Sequence, residues 1–297
     1  MNRGFKTVAI VARRQDRTIA DTVVLVSQVL SHLGAELVFE DQTAASLRSE
    51  LGEGIRTVTR SDLADCSDLI VVVGGDGSLL GVSRDIRPRS VPIVGVNRGG
   101  LGFLAAVSPE LLEQEFNKIW QGEYSLEDHF FVNANVVRDG EILSESSALN
   151  DVVVQPGNLT RMIEFELWVN DEFVYDQRSD GVIVASPTGS TAYSLSAGGP
   201  IMHPSLDAIV IVPMFPHTLT SRPLVVRGDS TIRIEAKQNV QVSCDSQVVV
   251  PLTKGDQLIL KKSVQPLKLL YPEGHSFFES CRSKLDWASR LGGRDSS

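Results

Sequence analysis

Leu69-Ile70-Val71-Val72-Val73-Gly74-Gly75-Asp76-Gly77-Ser78 is the stretch on which the fold turns. Its first five residues are apolar without a break and largely β-branched, as a strand covered on both faces should be. Three glycines around one aspartate then stop the run, and Ser78 onward reads as helix. Outward from this strand-loop-helix turn the same alternation continues. Thr7 to Ala12 is a second apolar run of strand length. Thr22 to Leu33 places Val23, Val26, Leu30 and Leu33 on one helix face, with Gly34 as a stop. Leu37 to Phe39 and Pro92 to Val96 add strands. Ser108-Pro109-Glu110 predicts a helix start through a capping hydroxyl, a first-turn proline and an acid, and Gly122 ends that helix. Strands alternating with helices predict a parallel sheet with helices on its faces.

From about Phe130 the texture becomes all-β. Phe131 to Arg138 and Ile142 onward flank Asp139-Gly140, a hairpin signal, and Asn170-Asp171 turns Met162 to Val169 into Phe173 to Tyr175. Gly181 to Ala185, Ala208 to Val212, Thr231 to Ala236, Val240 to Ser243 and Gln257 to Leu260 also read as short strands, the spacing of a layered β domain. The expected division is an α/β domain over residues 1–126, a sandwich-like β domain over 127–271, and a C-terminal segment over 272–297. Ser276 to Leu291 of that last segment reads as a helix packing back on the first domain.

Composition narrows the function classes. The 297 residues are 42% hydrophobic and 22% charged, with a net charge of -9. That balance argues against a general nucleic-acid binder, which needs a basic footprint. No apolar run reaches the ~18 residues of a membrane span, and Met1 to Val11 enters a strand too early for a signal peptide. Cys66, Cys244 and Cys281 are too scattered for a disulfide framework or a zinc site, which predicts a cytoplasmic protein. The five histidines show no metal-ligand spacing, so no metal ligand is assigned.

Three loops could carry chemistry. In the first, Gly74, Gly75 and Gly77 leave no side chain between backbone amides and a phosphate, and Asp76 could accept a hydroxyl proton or help hold Mg²⁺. A plain βα turn accounts for this local string equally well. The second, Asn97-Arg98-Gly99 with Gly100, Gly102 and Ala105, has dinucleotide-fingerprint spacing but does not open a helix directly. Arg13, Arg14, Arg84, Arg87, Arg89 and Arg98 lie near these loops and could supply phosphate charge. The third runs from Ser186 to Pro200, rich in hydroxyls around Tyr193, which could stack on a flat ring.

Taken together, Gly74-Gly75-Asp76-Gly77, Asn150-Asp151, Arg178-Ser179-Asp180-Gly181 and Ser186-Pro187-Thr188-Gly189-Ser190-Thr191-Ala192-Tyr193 resemble the ordered motifs of bacterial NAD kinases. Gly95-Val96-Asn97-Arg98-Gly99 and Ser243-Cys244-Asp245-Ser246-Gln247 fit as well. The resemblance implies a Rossmann-like α/β N-terminal domain, a C-terminal β-sandwich and a site between them. It implies phosphorylation of the 2′-hydroxyl of the adenosine ribose of NAD by ATP, with a divalent cation, Mg²⁺, on the nucleotide. By position, Asp76 resembles the family's proton acceptor. Gly77, Asn150, Asp151, Asp180, Thr191, Ala192, Tyr193, Ser194, Leu195 and Ser196 fall where the family contacts the dinucleotide, with Arg161, Arg178 and Gln247 as further contacts. Gly74, Gly75, Asn97, Arg98 and Gly99 are candidates for the ATP phosphates. Aspartate at 151 stands where glutamate is frequent, one methylene longer. The resemblance further implies a homo-oligomer, dimer or tetramer. A lipid kinase with the same glycine-aspartate loop would want an apolar groove, unlike the polar Thr188 to Ser196 loop. A non-catalytic dinucleotide sensor would not need the framed aspartate.

Overall fold

The computed structural model describes residues 5–13, 17–52, 54–87, 89–97, 102–157 and 162–287. They divide into two compact units, the described parts of Met1–Asp128 with Leu267–Ser297, and of His129–Pro266. In the first unit the strands are β1 (Thr7–Ala12), β2 (Glu36–Glu40), β3 (Thr57–Val58), β4 (Leu69–Val73), β5 (Ile93–Val96) and β6 (Tyr124–His129). The chain's last described strand, Leu267–Pro272, joins them in the order β3-β2-β1-β4-β5-(Leu267–Pro272)-β6. β3, β2, β1, β4, β5 and Leu267–Pro272 pair in parallel. This is the strand order of a Rossmann-like doubly wound sheet, with its switch point between β1 and β4.

Helices α1 (Arg17–His32), α2 (Asp76–Asp85) and α3 (Leu112–Gln121) follow β1, β4 and β5. α1 buries Ile19, Ala20, Val23, Val26 and Leu30 against the sheet. Gly34, at φ +82, closes it through Gly34 N–H to Ser31 O and Ala35 N–H to Leu30 O, the left-handed cap that glycine adopts without strain. Gly122 ends α3 in the same way at φ +87. The expected start of α3 is corrected. The Ser108 side chain makes no capping bond, and a 3₁₀ turn, Pro109–Leu111, comes before the helix.

The second unit contains β7 (Val132–Arg138), β8 (Glu141–Ala148), β9 (Asp151–Pro156), β10 (Ile163–Val169), β11 (Glu172–Ser179) and β12 (Gly181–Ala185). It continues with β13 (Ala208–Met214), β14 (Leu224–Arg227), β15 (Ile232–Ala236), β16 (Val240–Cys244), β17 (Val248–Leu252) and β18 (Gln257–Lys262). They make two antiparallel sheets, β11-β10-β15-β18-β7-β8 and β14-β13-β12-β9-β16-β17. Phe165, Leu167, Ile232, Ile234 and Leu258 from one sheet meet Val152, Val154, Val182, Val184 and Ile211 from the other in a single core, which makes the unit a sandwich. The hairpins turn at Asp139-Gly140 (φ +50, +85) and Asn170-Asp171 (φ +52, +62), the left-handed pairs that match strand twist.

The far face of the second sheet is covered too. Val153, Ile183, Ala185, Val210 and Val212 pack with Met202, so β12 and β13 are apolar at every position. One boundary is displaced from its expected place. Leu267–Pro272, now β19, belongs to the first unit's sheet, five residues before the expected limit at 271. Its apolar run pairs with a strand remote in sequence, and nothing local marks that partner. Helix α4 (Phe277–Lys284) follows in the same unit, capped by the Ser276 side chain accepting from Glu279 N–H.

Candidate active site

In the first unit β4 delivers the glycine loop to the carboxyl edge of the sheet, beside the switch point. Gly74 has φ +156, and a Cβ there would stand 2.7 Å from Ser78 Oγ, so the turn itself demands glycine. Gly75 and Gly77 are different. A Cβ on either would meet nothing within 4 Å. Gly75 is the N-cap of α2, a position that accepts glycine readily, while Gly77 lies inside the helix, where glycine costs up to about 1 kcal/mol against alanine. Asp76 is the first residue of α2, and the helix opens with Ser78 N–H on Gly75 O.

The second glycine loop turns out to support the first. Phe103 N–H donates to Asp76 Oδ2 at 3.0 Å, and Leu104 and Ala105 N–H donate to Oδ1 at 3.2 Å each. Gly102 allows this approach, since a Cβ there would lie 2.3 Å from Asp76 Oδ1. Gly95 lets the returning chain cross β5, where a Cβ would lie 2.7 Å from Ala105 Cα. Val107 N–H then bonds Gly95 O and Asn97 N–H bonds Val107 O. α4 braces the cradle: Phe277 packs on Phe103 at 6.4 Å, and Lys284 Nζ lies 5.7 Å over that ring. Arg14, Arg98, Gly99, Gly100 and Arg161 lie outside the described residues. Arg89 pairs with Asp65, Arg13 is exposed, and burial pulls the Arg87 guanidinium below its ordinary value.

Two features of this unit were not legible in the sequence. Tyr271 and His275 stack face to face at 4.2 Å and 5°. Burial first, then the charges of Glu127 and Asp76, raise the Tyr271 hydroxyl well above its usual range, while burial lowers His275 against Glu127 and Glu279. Glu40 ends β2, where a dinucleotide-binding sheet often holds a ribose. Here it is only 2% exposed, accepting from Thr43 Oγ1 at 2.5 Å and ion-paired with Arg60, whose Nε lies 2.9 Å from Oε1. That carboxylate is spent on structure.

The second unit gathers its own set of groups. Asn150 and Asp151 sit at the junction of β8 and β9. Asp151 is 3% exposed; burial, then the charge of Asp245, push its carboxyl up to about 7, and the Tyr193 N–H partly offsets them. Asp245 lies in the β16–β17 turn at φ +50. The Ser186–Ser196 loop passes close by: Ser186 N–H bonds Asn150 O at 2.9 Å, and Ser186 Oγ bonds Leu149 O at 2.5 Å. A Cβ at Gly189 would fall 2.0 Å from Asn150 O, so only glycine lets the loop lie there. Thr188–Thr191 is a 3₁₀ turn and Tyr193–Ser196 a single helical turn.

Within that turn the expected contacts separate. Tyr193 is 42% exposed and Ser194 fully buried, so a ligand can meet the first but not the second side chain. Thr191, Ala192 and Leu195 are half-buried and Ser196 is exposed. Ser190 Oγ instead locks the loop, donating to Pro187 O at 2.6 Å and accepting from Met202 N–H at 2.9 Å. Asn150 Oδ1 is buried without a hydrogen-bond partner among the described residues, an acceptor left for a ligand. Asp180 gives its N–H to Met214 O at 2.9 Å. Arg178 is exposed, 3.9 Å from Glu164, and Gln247 is exposed beyond the Asp245 turn.

A doubly wound sheet with a glycine-framed carboxylate at its switch point, and a sandwich bearing a second polar loop, define a phosphotransferase of the nucleotide-using kind. Residues 149–271 match the ATP-NAD kinase C-terminal domain and residues 8–124 the ATP-NAD kinase N-terminal domain. An NAD kinase of Pseudomonas putida (strain W619) is 46% identical over 295 residues, covering 98% of this chain and 99% of that protein. Among solved structures, an NAD kinase from Archaeoglobus fulgidus in complex with ATP aligns with TM-score 0.72 and 27% identity, over 93% of this chain and 99% of that one. Yeast NADH kinase complexed with NADH shares the fold, at TM-score 0.88 and 23% identity over 98% and 91% of the two chains. The chain belongs to the ATP-NAD kinase family.

Proposed function

We propose that the protein transfers the γ-phosphoryl group of ATP to the 2′-hydroxyl of the adenosine ribose of NAD, giving NADP and ADP. Beyond family membership, the cradle around Asp76 carries this reading. A carboxylate offers about four lone-pair sites. Three are taken, two on Oδ1 and one on Oδ2, which leaves Oδ2 one for a hydroxyl. Asp76 Oδ2 takes the 2′-hydroxyl proton as the ribose oxygen bonds to the γ-phosphorus, and the bond from that phosphorus to the β,γ-bridging oxygen breaks to release ADP. The bare backbone at Gly75 and Gly77 admits the phosphates to the start of α2. Asn150, Asp151, Asp180 and the Thr191 to Ser196 turn hold the dinucleotide, with Arg178 and Gln247 at its edge.

The reaction takes a divalent cation, for which we propose Mg²⁺. We propose that it is carried on the triphosphate. When bound, the cation spreads the charge of the transferring group. No helix among the described residues is long and apolar enough to cross a membrane. With its cysteines outside any disulfide, we place the protein in the cytoplasm, as a dimer or tetramer of this chain. The test is to incubate the pure protein with NAD, ATP and Mg²⁺. NADP should form, and should not form without ATP or with excess chelator. Bound NAD with no NADP would replace the kinase by a sensor.

A further inference from the structure

Asp245 has no place in the transfer step proposed above, yet its carboxylate accepts three successive backbone N–H groups. It is 7% exposed and stands in a left-handed turn that aspartate tolerates better than most residues. Its Oδ2 accepts Leu149 N–H at 2.9 Å, and its Oδ1 accepts Asn150 N–H at 2.8 Å and Asp151 N–H at 3.3 Å. The turn also gives Asp245 N–H back to Asp151 O at 3.0 Å. Three successive amides on one carboxylate fix the backbone from which Asn150 and Asp151 project. The same backbone carries the Ser186–Tyr193 loop, through Leu149 O, Asn150 O and the close pass of Gly189.

We propose that Asp245 is the positioning residue of the dinucleotide half of the site, setting both the direction of Asn150 and Asp151 and the charge Asp151 presents to the substrate. The proposal rests on the kinase reading, since it assigns Asp151 to the dinucleotide. A carboxylate beside Asp151 makes ionisation of Asp151 harder, so the contact becomes sensitive to pH. The groups acting on Asp151 are the Asp245 carboxylate from the β16–β17 turn and the Tyr193 N–H from the loop.

The experiment is steady-state kinetics of full-length Asp245→Asn and Asp245→Glu against wild type, from about pH 6 to 9, with melting temperatures alongside. In Asp245→Asn, kcat/KM for NAD should fall at least about tenfold while KM for ATP stays within about twofold. The acid limb of kcat/KM for NAD should move to lower pH, because the neighbouring negative charge is gone. Asp245→Glu should keep the wild-type limb and still lose affinity for NAD, since its longer stem cannot hold the same amides. Unchanged NAD kinetics and an unmoved limb in Asp245→Asn overturn the proposal, as does an equal loss toward both substrates. Amide exchange of unliganded wild type needs no variant: Leu149, Asn150 and Asp151 should be protected, and rapid exchange there overturns the clamp. Wild type making no NADP would sink the kinase reading instead, a result separate from all of these.

Discussion

Asp76 and Asp151 are the same side chain at the carboxyl or amino edge of a buried strand, under opposite surroundings. Asp76 follows β4 and meets three backbone N–H donors from the Phe103–Ala105 segment. Asp151 begins β9 and meets a second carboxylate, relieved by one N–H from Tyr193. Donors aimed at a carboxylate fix its direction and leave a defined lone pair, which suits a group that must take one proton from one place. A carboxylate facing another is fixed by what surrounds it, and its charge depends on pH. On the proposed function, the first arrangement suits proton transfer and the second suits recognition.

The largest break in this comparison is Asp76→Asn. We expect turnover to fall by roughly 10²–10⁴, the range for losing a general base. The structure adds a second expectation: the amide would turn an NH₂ toward N–H donors, at a cost of about 1–3 kcal/mol, so the melting temperature should also fall. Turnover near wild type would remove Asp76 from the chemistry. Gly102→Ala tests direction alone, because its Cβ would lie 2.3 Å from Asp76 Oδ1. Displacing the carboxylate should lower kcat by about 10- to 100-fold, the scale of a misplacement near 1 Å, with KM for NAD unchanged. An unaltered kcat would mean that the cradle is not what aims Asp76.

Asp151→Asn has the smallest effect on the melting curve and the most telling sign. The folded-state value of about 7 lies above the ordinary 3.8, so the folded protein holds that proton more tightly than the unfolded chain. Its contribution is therefore fully present below about 3.8 and is lost progressively as pH rises from there through about 7. Asparagine stays neutral throughout. The variant should melt a few degrees above wild type at pH 8, converge with it only below about pH 4, and bind NAD less well. A lower melting temperature at pH 8 would contradict the buried-pair reading.

What the sequence showed and what it hid follow from the range of the forces involved. Asn170-Asp171, Asp139-Gly140, Gly34 and Gly122 were legible because each answers a backbone demand set by its immediate neighbours. The β4 run was legible because burial on both faces writes itself into every residue. The same rule explains why β12 and β13 lack alternation: the Met202 segment covers the face that would otherwise be polar. Gly102 and Asp245 were not legible as supports, since Phe103 beside Gly102 lies 27 positions from Asp76, and Asp245 lies 96 positions from Leu149. Ser108 misled because proline started a 3₁₀ turn before the helix, leaving its hydroxyl no amide to cap. β6 escaped notice through its polar residues, YSLEDH, suited to an edge.

The position of β19 matters to a chain that is still being made. Synthesis delivers β1 to β6 first, but the place between β5 and β6 stays open until Leu267–Pro272 emerges. Domains tend to fold in the order they leave the ribosome, yet here the sandwich of His129–Pro266 is complete while the first sheet still lacks the strand next to its edge. The unit that begins the chain is thus the last to close. Until then β5, apart from its bridge to Val107, offers an open parallel edge of the kind that invites wrong partners, and the glycine loops acquire their bracing only with α4.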